Sequence, residues 1–152
     1  NLFLNFFLAY NMRLNKSDIK MLKITKKTEY ALIALSHIEK SKDNIFTTSK
    51  DIASQYNIPK ELMAKILQLM AKIGYIQSIK GPYGGYKSNI ELDDISLKEF
   101  IESIEGPLAL TDCYVNDDCS QIKSCNIKKP IQRINDNFIN FLDKISLIEI
   151  TK

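Results

Sequence analysis

Little in this chain suggests catalysis. Its 152 residues include one histidine, five glycines and four prolines. With a single imidazole, no nucleophile paired with a base and no glycine loop opening a helix around a phosphate, an enzyme is not expected. The scarcity of glycine and proline excludes a collagen-like chain, and no repeat or low-complexity segment appears. Apolar residues at 45% and charged residues at 26% exclude a disordered one. Long hydrophobic runs are missing too. Leu2 to Tyr10 is strongly apolar but spans nine residues, about half of the ~20 that a bilayer-crossing helix needs. It also lacks the basic lead and small-residue cleavage site of a signal peptide. Residues 1–20 are therefore read as an upstream translated extension, with a membrane-surface anchor as the alternative, and a membrane is not an expected partner.

Cysteine is sparse but clustered. Cys113, Cys119 and Cys125 fall within 13 residues. An odd number suits no disulfide framework, and a chain of this length buries a core without staples. A reducing cytoplasm is the expected compartment, and the thiols need another use. Net charge is equally sparse, at +3, but unevenly placed. Residues 21–90 carry 11 basic and 5 acidic side chains, whereas residues 91–127 carry 2 and 9. A basic first half joined to an acidic middle suggests a polyanion-binding module attached to something else.

The apolar pattern supplies the module. Thr28 to Lys40 places Tyr30, Ile33, Ala34, His37 and Ile38 at helical spacing, widened by Leu32 and Leu35, and predicts a largely buried helix in which His37 is a core residue. Ser41 to Asn44 breaks it. Thr48 followed by Asp51 forms a capping box, and Ile52, Ala53 and Tyr56 form the inner face of a short helix. Asn57 takes a turn and Pro59 opens a longer helix to about Ile73, with Leu62, Ile66, Leu67, Met70 and Ile73 inward and Gly74 as its stop. This is helix-turn-helix spacing.

Helical hairpins alone are common, but the next residues add a second mark. Tyr75 to Lys80 alternates as a strand, Gly81-Pro82-Tyr83-Gly84-Gly85 is dense turn chemistry, and Tyr86 begins the return strand. A hairpin directly after a recognition helix is a wing. Its glycines bring backbone N–H groups near an anion, Lys80 and Lys87 flank the turn, and Tyr83 sits at the tip. A plain surface hairpin with solvated lysines is the bland alternative. On the recognition helix, Lys60, Glu61, Ala64 and Lys65 occupy the first turns, the part that reaches base edges.

Ser96 to Glu99 is a further capping box, opening a helix through Phe100, Ile101 and Ile104 that Gly106 ends. A last helix starts near Lys128 with Pro130 in its first turn. Ile131, Ile134, Phe138, Phe141 and Ile145 step by 3 and 4 to form one apolar seam, and a two-fold partner is the expected cover.

Between these helices the cysteines stand in an x5/x5 arrangement. That spacing matches neither zinc pairs nor ferredoxin runs. Soft thiolates select iron–sulfur clusters, zinc or cuprous ions, but free redox-active thiols fit the spacing equally well.

Several of these residues together resemble one family. The opening M-L-K-I-T-K-K-T-E-Y-A-L from Met21, the helix pair around Asp51-Ile52-Ala53 and Ile58-Pro59, the wing Lys80-Gly81-Pro82-Tyr83-Gly84-Gly85-Tyr86 and the three cysteines are similar to the iron–sulfur-regulator family of winged-helix transcription factors, the IscR, NsrR and CymR type. The resemblance implies a mainly α fold with a small β-hairpin wing, a winged helix-turn-helix plus a long C-terminal dimerisation helix. It makes Cys113, Cys119 and Cys125 ligands of an iron–sulfur cluster. Lys128 stands where biogenesis regulators have a ligating histidine. Glu29 matches a carboxylate that nitric-oxide-sensing members supply from the other subunit, which makes it the candidate fourth ligand and favours 4Fe–4S over 2Fe–2S. Lys80 replaces the usual wing arginine, and Ala64 replaces a glutamate that sets sequence preference in biogenesis regulators.

The resulting expectation is a cytoplasmic homodimeric repressor, sensing redox state or nitric oxide and taking no small-molecule substrate. Double-stranded operator DNA would meet Lys60, Glu61, Ala64, Lys65 and the wing residues 80–86. Residues 21–90 would bind DNA, 91–127 would carry the linking helix and the cysteines, and 128–152 would dimerise. A metal-free thiol switch is the alternative.

Overall fold

In a computed structural model, residues 24–41, 46–111, 120–121 and 123–151 are described. Residues 1–20 lie outside that set, as do Cys113 and Cys119. Among the described residues, six helices and one hairpin follow in order: α1 (Lys26–Lys40), α2 (Ser49–Gln55), α3 (Lys60–Ile73), β1 (Ile76–Ile79), β2 (Gly85–Ser88), α4 (Leu97–Glu105), α5 (Lys128–Asp143) and α6 (Leu147–Thr151). The mainly α reading with a two-stranded wing is what the chain adopts.

Local chemistry sets most boundaries. Thr25 caps α1 by accepting from the Thr28 N–H. The Thr48 and Asp51 side chains close a reciprocal capping box on α2. Asn57, at φ 52, turns the chain between α2 and α3, and buried Ile58 plugs the corner with its N–H on Ala53 O at 2.9 Å. Gly74 ends α3 at φ 101, where a side chain would be strained. Ser96 caps α4 through the Glu99 N–H, while its own hydroxyl donates to Asp143.

The core lies where α1 meets α3 and α4. Its contributors are Ala31, Ala34, Leu35 and Ile38 of α1, Met63, Ile66, Leu67 and Met70 of α3, and Phe100, Ile101 and Ile104 of α4. The buried line of α1 is thus rotated from the expected stripe. Ala31 and Ala34 are small enough to let the neighbouring helices approach, so they take the centre, while Tyr30, Ile33 and His37 are half-buried. His37 is not a core residue. It lies at the rim, edge-on to Tyr56 with ring centroids 5.7 Å apart. Tyr56 is itself exposed because it ends α2 as the C-cap and leaves the inward face. On α3 the same shift buries Met63 and leaves Leu62 and Ile73 half-buried.

The C-terminal region departs further. The expected seam ran through Ile145, but α5 stops at Asp143. Ile145 uses its carbonyl to accept the Leu97 N–H at 2.7 Å, and Leu147 N–H returns to Ile95 O at 3.0 Å. This backbone exchange ties the start of α4 to the chain after α5. α6 then folds back on α1, where Ser36 Oγ donates to Thr151 O at 2.9 Å. Residues 128–151 are two helices, and the second packs within its own chain.

Candidate nucleic-acid interface and cysteine site

Two features of the first half stand exposed. α3 buries one face and exposes Lys60, Glu61 and Lys65 near its N-terminus, with Ala64 half-exposed beside them. Pro59 leads into it without a side-chain cap, so the first N–H groups of α3 are left to external acceptors. The wing follows. β1 and β2 pair antiparallel in the register Ile76 to Ser88 through Ile79 to Gly85. Thr47 adds a third short rung, exchanging hydrogen bonds of 2.8 and 3.1 Å with Tyr86.

The wing residues divide by role. Lys80, Gly81 and Pro82 are exposed, and Tyr83 at the tip is 90% exposed. Gly81 has φ 123, a conformation that favours glycine. Gly84 and Gly85 answer to space instead. A Cβ on Gly84 would stand 2.1 Å from Ile79 O, and one on Gly85 would stand 2.7 Å from Thr47 O. Those two glycines and Tyr86 build the hairpin that holds the tip.

The root of the wing is joined to α4. Tyr75 is buried against Phe100, with ring centroids 5.3 Å apart, and burial pushes its phenol above the ordinary value. Its carbonyl accepts the Asn89 N–H, and the Asn89 side chain donates to Gly74 O. At its far end, α4 meets the start of α1. Glu105 accepts from Thr25 at 2.6 Å and from Thr28 at 3.0 Å, and Lys27 donates to Ile104 O. A cavity of about 380 Å³ lies beside this junction, lined mainly by apolar residues including Ile24, Leu108, Phe138 and Leu142.

Of the expected cluster ligands, Cys125 and Glu29 are described. Cys125 is half-buried, outside any disulfide, and stands three residues ahead of α5. Glu29 is half-exposed in the first turn of α1, ion-paired with Lys26, whose ammonium it holds above the usual range. Lys128 is the first residue of α5. Among the described residues, no three His, Cys, Asp or Glu side chains come together as a metal site. Sequence reasoning missed Asn135 and Glu102, which accept from the Leu110 and Leu108 N–H groups of the segment that leads to the cysteines. Neither carries a motif, so only the packing reveals them.

Residues 24–152 match the Rrf2 family, described as an iron-dependent transcriptional regulator. The chain belongs to the Rrf2 family. It is a DNA-binding transcriptional regulator of the winged-helix kind, and its relatives are regulators rather than enzymes. It is 27% identical over 131 residues to the HTH-type transcriptional regulator NsrR of Bacillus licheniformis, covering 85% of this chain and 92% of that one. CymR (YrzC), the global cysteine regulator of B. subtilis, shares 29% identity and a TM-score of 0.68, covering 86% of this chain and 97% of that one. The structure of T. potens IscR shares the fold, with a TM-score of 0.63 at 22% identity, covering 85% of each chain. No helix among the described residues is long and apolar enough to cross a membrane.

Proposed function

We propose that this Rrf2 regulator is a cytoplasmic homodimeric repressor whose operator binding is controlled by an iron–sulfur cluster. Cys113, Cys119 and Cys125 would hold the cluster, with Glu29 of the second subunit as fourth ligand and 4Fe–4S favoured. The observation that carries the reading is where Cys125 lies. The cysteine-bearing segment joins the end of α4 to the start of α5, and α4 also touches the wing root through Tyr75. The donor set suits the group: three soft thiolates bind iron–sulfur clusters, and a hard carboxylate leaves one iron with an easily displaced ligand. When bound, the cluster supplies a redox- and nitric-oxide-reactive centre.

The chain's own residues do the rest. The cysteine segment is acidic and connects two helices. A change in its charge or order shifts α4 against α5, and with them Tyr75, Phe100 and the wing. The second copy lies against the exposed side of α5, which sets the spacing between two α3 helices in successive major grooves. Lys60, Glu61, Ala64 and Lys65 would face base edges, while Lys80 and the wing backbone would face phosphates. Residues 21–90 then act as the DNA-binding region, 91–127 as the sensing region and 128–152 as the dimerisation region, though α6 serves α1 of its own chain.

Purification without air, followed by iron and sulfide analysis and visible spectroscopy, tests the reading. A brown protein that loses its colour when any one cysteine becomes alanine supports it. Colourless protein without iron or sulfide rejects it. The second reading is a metal-free thiol switch, favoured by the likeness to CymR and by Lys128, whose ammonium has no lone pair for a metal. It predicts that peroxide or disulfide reagents change DNA affinity in protein that contains no metal.

A further inference from the structure

Among the described residues of α5, only Asn135 and Leu142 are buried, and Asn135 is 0% exposed. An amide in this position is chemically odd. Phe138 and Leu142 continue its face of the helix as apolar neighbours. Its Oδ1 accepts the Leu110 N–H at 2.8 Å, whereas its Nδ2 is buried with no acceptor. That bond fixes the amide orientation, because the flipped form would set an NH2 against an N–H. A buried donor without a partner destabilises the fold, and an apolar side chain of similar size would avoid that cost. What the amide contributes is therefore its oxygen.

The backbone that it holds leads to the cysteines. Leu110 is three residues before Cys113. Two residues earlier, the Leu108 N–H is held by Glu102 Oε1 of α4 at 3.2 Å. One side chain from α4 and one from α5 thus fix alternate N–H groups of the segment that enters the cysteine region. We propose that Asn135 is a positioning residue that sets the register of the Leu108–Leu110 segment on α5 and so couples the state of the cysteines to the placement of that helix. The coupling to the cysteines rests on their proposed sensing role; the register does not.

The test uses the full chain with Asn135→Leu, which removes the acceptor, and Asn135→Asp, which keeps an oxygen in its place. In reduced, metal-free protein, amide exchange at Leu110 should be about tenfold faster in Asn135→Leu, the factor expected for one net hydrogen bond. Exchange at Ile131, bonded to the carbonyl of Ile127 at the N-cap of α5, should not change. Asn135→Asp should keep Leu110 slow. Loss of iron to a chelator should be several-fold faster in the leucine variant and near the parent rate in the aspartate variant. A merely structural residue would shift the melting midpoint and the exchange of all α5 amides together. Unchanged exchange at Leu110, or unchanged chelator kinetics in protein that does bind iron and sulfide, would overturn the proposal. If the parent chain binds neither, the cluster reading fails. Leu110 exchange and the alkylation rates of the three thiols then still decide the coupling: faster in Asn135→Leu supports it, unchanged rejects it. Should the leucine overpack and unfold the chain, Asn135→Ala supplies the same comparison.

Discussion

α3 and α5 are both amphipathic helices of similar length, yet they use their apolar faces in opposite ways. α3 places Met63, Ile66, Leu67 and Met70 inside its own chain and turns Lys60, Glu61, Lys65 and Lys72 outward. On α5 the outward residues include Ile134 at 55% and Phe141 at 61% exposure, and Ile127 just ahead of it is 58% exposed. Those three lie seven residues apart, one stripe on a helical surface. A helix that exposes charge suits a polar, hydrated partner. A helix that exposes a regular apolar stripe suits another apolar surface. The contrast separates the face proposed for DNA from the face proposed for a second copy.

Substitutions in the two apolar sets should break the molecule in different ways. Leu67→Ala removes a fully buried side chain and should lower folding stability by about 2–5 kcal/mol, read from a denaturant titration. Phe141→Asp should leave the folded chain intact by circular dichroism but sediment as a monomer without operator affinity, because the charge would be desolvated only in the dimer. A Phe141→Asp variant that stays dimeric moves the interface elsewhere. Leu67→Ala without a stability loss would mean that α3 is not anchored by this face.

A smaller effect is expected on the polar side. Lys80→Ala should weaken binding to all sequences alike and reduce the slope of log affinity against log salt by about one. Lys65→Ala or Glu61→Ala should instead change which sites are preferred. Equal losses on specific and random DNA for all three variants would remove the distinction between wing and recognition helix. Genome-fragment selection at low salt that enriches no site would remove the DNA reading of α3 altogether.

The same contrast explains what was legible in the sequence. Thr48 with Asp51, Asn57, Gly74, Ser96 and the glycines of the wing mark boundaries through bonds or dihedrals within a few residues, so their chemistry is visible in one dimension. The orientation of a helix about its axis is not. Whether Tyr30 or Ala31 faces inward on α1 depends on how closely α3 and α4 approach, which Ala31 and Ala34 of α1 permit and which is decided only in three dimensions. Ile145 fits the 3-4 spacing of α5 but leaves the helix, because the Leu97 N–H draws its carbonyl into a bridge with the start of α4. At the candidate site, Tyr83 at the exposed tip was readable from turn chemistry. Asn135 was not, since its partner Leu110 is 25 residues away. The spacing of the cysteines indicates thiol chemistry without choosing between a cluster and a switch.

The smallest expected effect concerns how α3 is presented. α3 has no side-chain cap at its N-terminus, whereas α2, the short helix before it, carries a closed box. The Thr48 hydroxyl donates to Asp51 Oδ2 at 2.6 Å, and the Thr48 N–H does so at 3.3 Å. These bonds, the Thr48 hydroxyl foremost, hold the Asp51 carboxyl below its ordinary value of 3.8, with Lys50 and His37 adding lesser attraction. A lowered folded value means that the ionised carboxylate stabilises the fold. That contribution is complete above the unfolded value and is lost as pH falls through the folded one. Thr48→Ala should therefore cost about 1 kcal/mol near neutral pH. Asp51→Asn should cost less, and its difference from the parent should stay level down to about pH 5 and shrink below 3.8. Urea titrations of both proteins across this range check the sign. A difference that grows toward acid would mean that the carboxylate opposes folding and that α2 is held by Ile52 and Ala53 alone.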